Sequence, residues 1–342
     1  MTQAFHRFGS ALGIATTLAL VACGSSDDDS PAAGSEAGAS GSGSGGSSSG
    51  NLGGAAGADT GSGGSGGDAT TAADVVDTAT AAGDFTALVG ALEATSLTEA
   101  LRGEGPFTVF APTDDAFEDF EEENPGVIAS LSTEELAAVL TYHVVPGAVA
   151  ASDLVDGSLV ETLNGARAAV ELSDGASVAG ASVTETDIVA ANGIIHVIDR
   201  LMLPPSRDIV ETAVAAGSFT TLATALVATG LDEVLQGDGP YTVFAPTDEA
   251  FAAFEAANPG VLASLSTEAL TDVLLYHVVG GWAGPADLED GMALPTELSG
   301  ASLTVSLDGG VQIDDANVTA ANIVATNGVI HVIDAVMLPA SD

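Results

Sequence analysis

The chain has 342 residues, 48 acidic residues, five arginines and no lysine, for a formal net charge of −43. That sign excludes nucleic acid as a partner, because phosphates need a basic surface, and it disfavours unassisted binding to anionic lipid headgroups. The apolar fraction of 46% is enough for two domains of about 133 residues each to bury their own cores.

The first segment reads as an address. Arg7 supplies a weakly basic start, and Ala11–Ala19 is mostly apolar but too short to span a membrane. Leu20-Val21-Ala22-Cys23 follows and resembles the lipobox of bacterial lipoproteins, in which the cysteine is lipidated and becomes the first mature residue. The plainer alternative is an ordinary secretory signal with an incidental cysteine. Cys23 is the only cysteine, so no intramolecular disulfide is available. Residues 1–22 are thus expected to be a lipoprotein signal peptide, and 23–72 a lipidated Cys23 followed by a Gly/Ser/Ala/Asp linker.

Gly24–Ala72 has almost no bulky apolar residue and cannot bury enough surface to offset its chain entropy. A flexible tether of that length spans about 35–42 Å. It contains GSSSG at Gly46–Gly50, the form of a hydrolase nucleophile elbow, but without the strand–turn–helix setting that chemistry requires.

Two copies of one pattern follow. Gly105–Phe117 reads GPFTVFAPTDDAF and Gly239–Phe251 reads GPYTVFAPTDEAF, identical at eleven of thirteen positions. Asn192–Pro204, NGIIHVIDRLMLP, returns as Asn327–Pro339, NGVIHVIDAVMLP. Offsets of 134 and 135 residues are domain-sized, which predicts one domain over 73–205 and another over 207–339. The joint, Leu203–Ser206, holds two prolines and predicts limited freedom between the copies.

Within each copy the apolar spacing predicts helices over Asp74–Ala82 and Phe85–Glu93, repeated at Asp208–Ala216 and Phe219–Val227. A strand is expected at Phe107–Phe110 and Tyr241–Phe244, then a short helix capped by Thr113. Ser132 and Glu135 form a capping box for the next helix; Ser266 keeps the cap in copy two, but Ala269 loses the box. Later segments read as strands: Leu159–Leu163 and Ala166–Leu172 around Asn164-Gly165, then Ile194–Leu203 after Asn192-Gly193. In copy two, Ala301–Val305 and Gly310–Ile313 suggest related strands. Helices first and antiparallel strands later predict an α+β fold.

These motifs resemble the fasciclin domain: TVFAPTD at Thr108–Asp114 and Thr242–Asp248, the pairs Tyr142-His143 and Tyr276-His277, and NGxIHxID at Asn192–Asp199 and Asn327–Asp334. The resemblance implies two tandem fasciclin-like domains, each a β-sandwich-like wedge flanked by helices. It also implies adhesion at a cell surface, to other cells, matrix or biofilm, through protein or polysaccharide ligands. In bacteria such domains are commonly secreted or lipid-anchored, which places this chain in the cell envelope, facing the surface or periplasm. In animal members the Tyr-His region has been linked to receptor contact. Tyr142, His143, Tyr276 and His277 are therefore candidates for adhesion, or for supporting the core.

The residues favour the second role, because His143 and His277 end apolar helices. His196 and His331 sit in the closing strand; two histidines per copy and no further cysteine do not make a transition-metal site, and no cofactor is expected. Asp199 and Asp334 read as strand-end acceptors. The acid run Glu118, Asp119, Glu121, Glu122, Glu123 is a solvated helix face or a weak Ca2+-attracting patch without EF-hand spacing. Only Glu255 of it survives in copy two. Trp282, the single tryptophan, is either an interface anchor or a packed loop aromatic. No catalytic constellation repeats, so an enzyme is not expected. The rival to adhesion is a periplasmic or surface small-molecule carrier, which would need an enclosed apolar cavity.

Overall fold

A computed structural model describes residues 73–339. The expected signal segment, Cys23 and the Gly/Ser-rich tract all lie outside the described residues.

In the first copy, helices α1 (Val75–Ala82), α2 (Thr86–Ala94) and α3 (Thr98–Leu101) precede strand β1 (Phe107–Pro112). Then come α4 (Asp114–Glu123), α5 (Val127–Ser130), α6 (Thr133–Tyr142) and the strands β2 (Val144–Pro146), β3 (Leu159–Glu161), β4 (Arg167–Glu171), β5 (Ser177–Val178), β6 (Ala181–Ala190) and β7 (Gly193–Ile198). The second copy repeats the series as α7 (Ile209–Ala216), α8 (Thr220–Thr229), α9 (Leu231–Leu235), β8 (Tyr241–Pro246), α10 (Asp248–Ala257), α11 (Val261–Ser264) and α12 (Thr267–Tyr276). Its strands continue as β9 (Val278–Gly280), β10 (Ala293–Pro295), β11 (Ser302–Ser306), β12 (Gln312–Ile313), β13 (Ala316–Ala325) and β14 (Gly328–Ile333).

Local chemistry sets the helix starts. The Asp74 carboxylate accepts from Asp77 N at 2.8 Å, and Thr113 Oγ1 accepts from Ala116 N at 3.2 Å. The Ser132–Glu135 capping box forms, with Glu135 N to Ser132 Oγ at 3.2 Å and Ser132 N to Glu135 Oε2 at 2.8 Å. In copy two Ser266 still caps Ala269 N at 3.2 Å.

Each copy builds one seven-stranded sheet, ordered β2-β1-β7-β6-β5-β4-β3 in the first and β9-β8-β14-β13-β12-β11-β10 in the second. The side-chain alternation of β1 divides the core. Val109 and Ala111 face α1, α2 and α6 together with Ile195 and Val197 of β7. Phe110 faces the other way, into a cluster with Ala168 and Val170 of β4, Val178 of β5 and Ile198 of β7. Residues from opposite ends of one sheet share that cluster, so the sheet curls into a wedge with the helices packed on one outer side. The bend falls on β6, whose pairing with β7 shifts register between Val183 and Ile188.

Three features depart from the sequence-based expectation. The closing strand stops at Ile198 rather than Leu203, because beyond it the backbone leaves the ladder and the Met202 amide is bonded to His143 Nε2. The longest strand, β6, carries no apolar alternation, since most of its residues are exposed on both faces. And β1 pairs with β7 in parallel, Phe110 opposite His196, although the other strand-to-strand ladders of the copy are antiparallel.

The copies also touch. Leu159 and Ala169 of the first pack with Val329, Val324 and Trp282 of the second. Asn322 Nδ2 donates to Gly157 O at 3.0 Å, and the Arg167 guanidinium lies 5.3 Å from the Trp282 ring centroid.

Candidate functional site

The Tyr-His pair closes α6. His143 is 1% exposed and its Nδ1 is 2.7 Å from Val139 O, one turn back. Its Nε2 accepts from Met202 N at 3.0 Å. That pair of partners assigns the proton to Nδ1 and a neutral ring. Burial pushes the His143 pKa down to about 4, opposed by the Val139 hydrogen bond. His277 repeats the arrangement, with Nδ1 2.8 Å from Val273 O, Nε2 accepting from Met337 N at 3.1 Å and a pKa lowered to about 4 by burial.

Tyr142 is 2% exposed and its hydroxyl donates to Arg167 O at 2.9 Å, bracing α6 against β4; burial raises its pKa. Tyr276 donates to Asp314 Oδ2 at 2.8 Å, and burial followed by that carboxylate raises its pKa to about 12. Both ring nitrogens of each histidine and both phenolic oxygens thus already have partners inside the fold. The four residues bolt a helix to a strand and to the segment after the closing strand.

His196 and His331 form a second repeated pair. His196 Nε2 donates to Val149 O at 2.9 Å, and Nδ1 accepts from Asp187 N at 3.2 Å. His331 Nε2 donates to Ala283 O at 2.7 Å, Nδ1 accepts from Asn322 N at 3.2 Å, and burial lowers its pKa to about 4. The rings lie 5.5 Å from Phe110 and Phe244 respectively. Asp187 and Asn322 hold φ near +60° at the register shift, so each histidine secures the bend of its wedge. Among the described residues, no group of three or more His, Cys, Asp or Glu could hold a metal ion.

The rest of the repeated motifs has equally local reasons. Thr108, fully buried, donates to Gly147 O and accepts from Val149 N, both at 2.8 Å. Asp114 caps not its own helix but α2, accepting from Ala87 N at 2.7 Å; that backbone bond holds its pKa below the usual carboxylate value. Asp248 does the same for α8, accepting from Thr221 N at 2.7 Å, and its pKa is lowered by bonds from Thr221. Asn192 accepts from Val75 N at 2.9 Å and donates to Leu101 O at 2.7 Å and Gly103 O at 3.0 Å, joining α1, α3 and the sheet. Asp199 and Asp334 accept from Ser182 N and Asn317 N at 2.8 Å, as strand-end acceptors do.

Two readings left open by the sequence become specific. Glu121 Oε1 accepts from Gly126 N at 2.6 Å, and Glu255 does so from Gly260 N at 2.6 Å. The single acid kept from the run is therefore the one that ties down the loop after the helix; Glu118, Asp119, Glu122 and Glu123 are exposed. Trp282 is half-buried against the first copy.

The fasciclin domain family profile matches residues 83–204 and 217–339. The chain belongs to the fasciclin domain family, as a tandem pair. It is 32% identical over 256 residues to transforming growth factor-beta-induced protein ig-h3 of Sus scrofa, covering 72% of this chain and 37% of that protein. It is 42% identical over 132 residues to uncharacterized protein sll1735 of Synechocystis, covering 38% of this chain and 97% of that protein. The FAS1 domain pair of the insect cell adhesion molecule Fasciclin I covers 75% of this chain and 98% of that one, at 18% identity and a TM-score of 0.39. The chain thus spans little more than a third of ig-h3 but one of its domains spans nearly all of the cyanobacterial protein.

Proposed function

We propose that this chain is a lipid-anchored adhesion protein of a bacterial cell envelope, holding two fasciclin domains away from the membrane on a long tether. The observation that carries the reading is the tandem of complete fasciclin domains downstream of the lipobox-like Leu20–Cys23 and a Gly/Ser-rich tract. No helix among the described residues is long and apolar enough to cross a membrane. Adhesion through this pair adds individually weak contacts over two domains per chain and many chains per cell. The ligand is a surface protein or polysaccharide, and contact falls on exposed faces rather than on the buried Tyr-His pairs.

The test is adhesion of cells lacking the gene, complemented with wild type or with Cys23→Ala. Wild type restores adhesion and fractionates with membrane; Cys23→Ala is released, or stays an uncleaved precursor, and restores none. Unchanged adhesion on deletion sinks the adhesive role. A Cys23→Ala protein that still migrates and fractionates as a lipidated mature form sinks the anchor.

A further inference from the structure

Beneath α2, α3 and α6 of the first domain lies a cavity of about 130 Å³. Its floor is Leu92, Leu101, Leu140 and Val144, all buried. Its rim is open to solvent, with Leu163 43% exposed. The one hydroxyl in the lining, of Thr141, already donates to Ala137 O at 2.7 Å and Ala138 O at 3.2 Å. A space with this lining has few partners to offer water; an apolar cavity near 150 Å³ takes up benzene or xenon.

The second domain differs at the matching positions. Ala100, Phe107 and Thr141 of the first domain are matched by the larger Val234, Tyr241 and Leu275, and Leu163 at the mouth is matched by Glu297. Val234 and Leu275 thus bring more side-chain volume to the matching positions beneath the helices of the second domain. Two of the lining side chains, Ala100 and Thr141, are therefore smaller in the first domain than their matches in the second.

We propose that the first domain carries a binding cavity for one small, neutral hydrocarbon group, such as a single aromatic ring or a short branched alkyl chain. The volume limits the occupant to about the size of benzene. The lining supplies no free hydrogen-bond donor, so a polar head gains nothing inside. The domain has 23 acidic residues against three arginines, which disfavours an anionic ligand. The partly exposed rim gives an entry path without unfolding. This inference stands apart from the adhesive role and survives its failure.

Toluene is the probe. Titrated into the full chain labelled with 13C at Leu and Val methyls, it should shift the methyls of Leu92, Leu101, Leu140 and Val144. At about threefold its Kd it should raise the melting temperature by about 2–3 °C. The double variant Ala100→Val/Thr141→Leu places copy-two residues in copy one and should keep the fold, while weakening toluene binding by about tenfold or more. Wild-type methyls that do not move, or a folded double variant that binds as tightly as wild type, would overturn the proposal.

Discussion

At the scale of single residues, the repeated polar groups behave as fasteners whose protonation state matters. His143, His277 and His331 are each held neutral by burial, with pKa values near 4 against an ordinary 6.5. A base whose folded pKa is depressed contributes stability that is fully present above about pH 6.5 and is lost as pH falls toward 4. Each such shift is worth about 3 kcal/mol at the acid end. The carboxylates of Asp114 and Asp248 are shifted below their ordinary 3.8, so their contribution is lost only at lower pH, beneath the histidine window. Urea unfolding should therefore show stability that is level from pH 7.5 to about 6.5 and drops from there to 4.5, before the bulk of the acids titrate. A flat profile over that range would mean that the rings are solvated or charged in the folded protein.

At the scale of elements, the two sequence motifs of each copy turn out to be two halves of one joint. Phe107 N donates to Asn192 O at 3.0 Å, where β1 and β7 begin in parallel. A Cβ on Gly105 would lie 2.0 Å from Asn192 O, and one on Gly193 would lie 2.1 Å from Phe107 O. Both contacts are with backbone that cannot step aside, so glycine is required at both places for close approach. Gly193→Ala should cost about 3–5 kcal/mol by breaking the start of the parallel pair; a variant with a wild-type unfolding midpoint would refute the joint. The helices and their caps were legible because Asp74, Thr113 and Ser132 announce them locally, and β1 because Phe107–Phe110 is rich in strand formers. The parallel partnership was not, because β1 and β7 are separated by some eighty residues and nothing local encodes which strands meet. Strand β6 was missed for a different reason: Glu185, Thr186 and Asp187 face solvent at the bend, so no period-two pattern exists to find. The burial of His143 could be read from its apolar helix, but its partner Met202 lies 59 residues away and only the fold supplies it. The same holds for Trp282: its position in a loop gave no hint that Arg167 of the other domain covers its ring.

At the scale of the whole molecule, charge bears on stability and the proposed adhesive role on where contact is made. The first domain carries 23 acids with three arginines and the second, to the end of the chain, 19 acids with one. Arg167, one of those four, serves the contact with Trp282 and lies 4.0 Å from Glu161. Like charges within a Debye length repel, and that length falls from about 30 Å at 0.01 M to about 3 Å at 1 M salt. Screening relieves the compact state more than the expanded one. The melting temperature should therefore rise across a sodium chloride series from about 0.01 to 1 M, with millimolar calcium acting at lower concentration if it gathers on acids such as Glu122 and Glu123. A flat series would show that the acids are too well separated or hydrated to matter. The central claim is that the Tyr-His pairs hold the domains together while other, exposed surfaces make contact. Its most direct test is adhesion of deletion cells displaying His277→Ala, compared with wild type at matched amounts of folded surface protein. The account predicts a domain weakened by about 1–3 kcal/mol through unpaired buried groups, with adhesion per folded molecule unchanged. Wild-type stability with adhesion abolished would contradict it, and would place the contact on the Tyr-His pair.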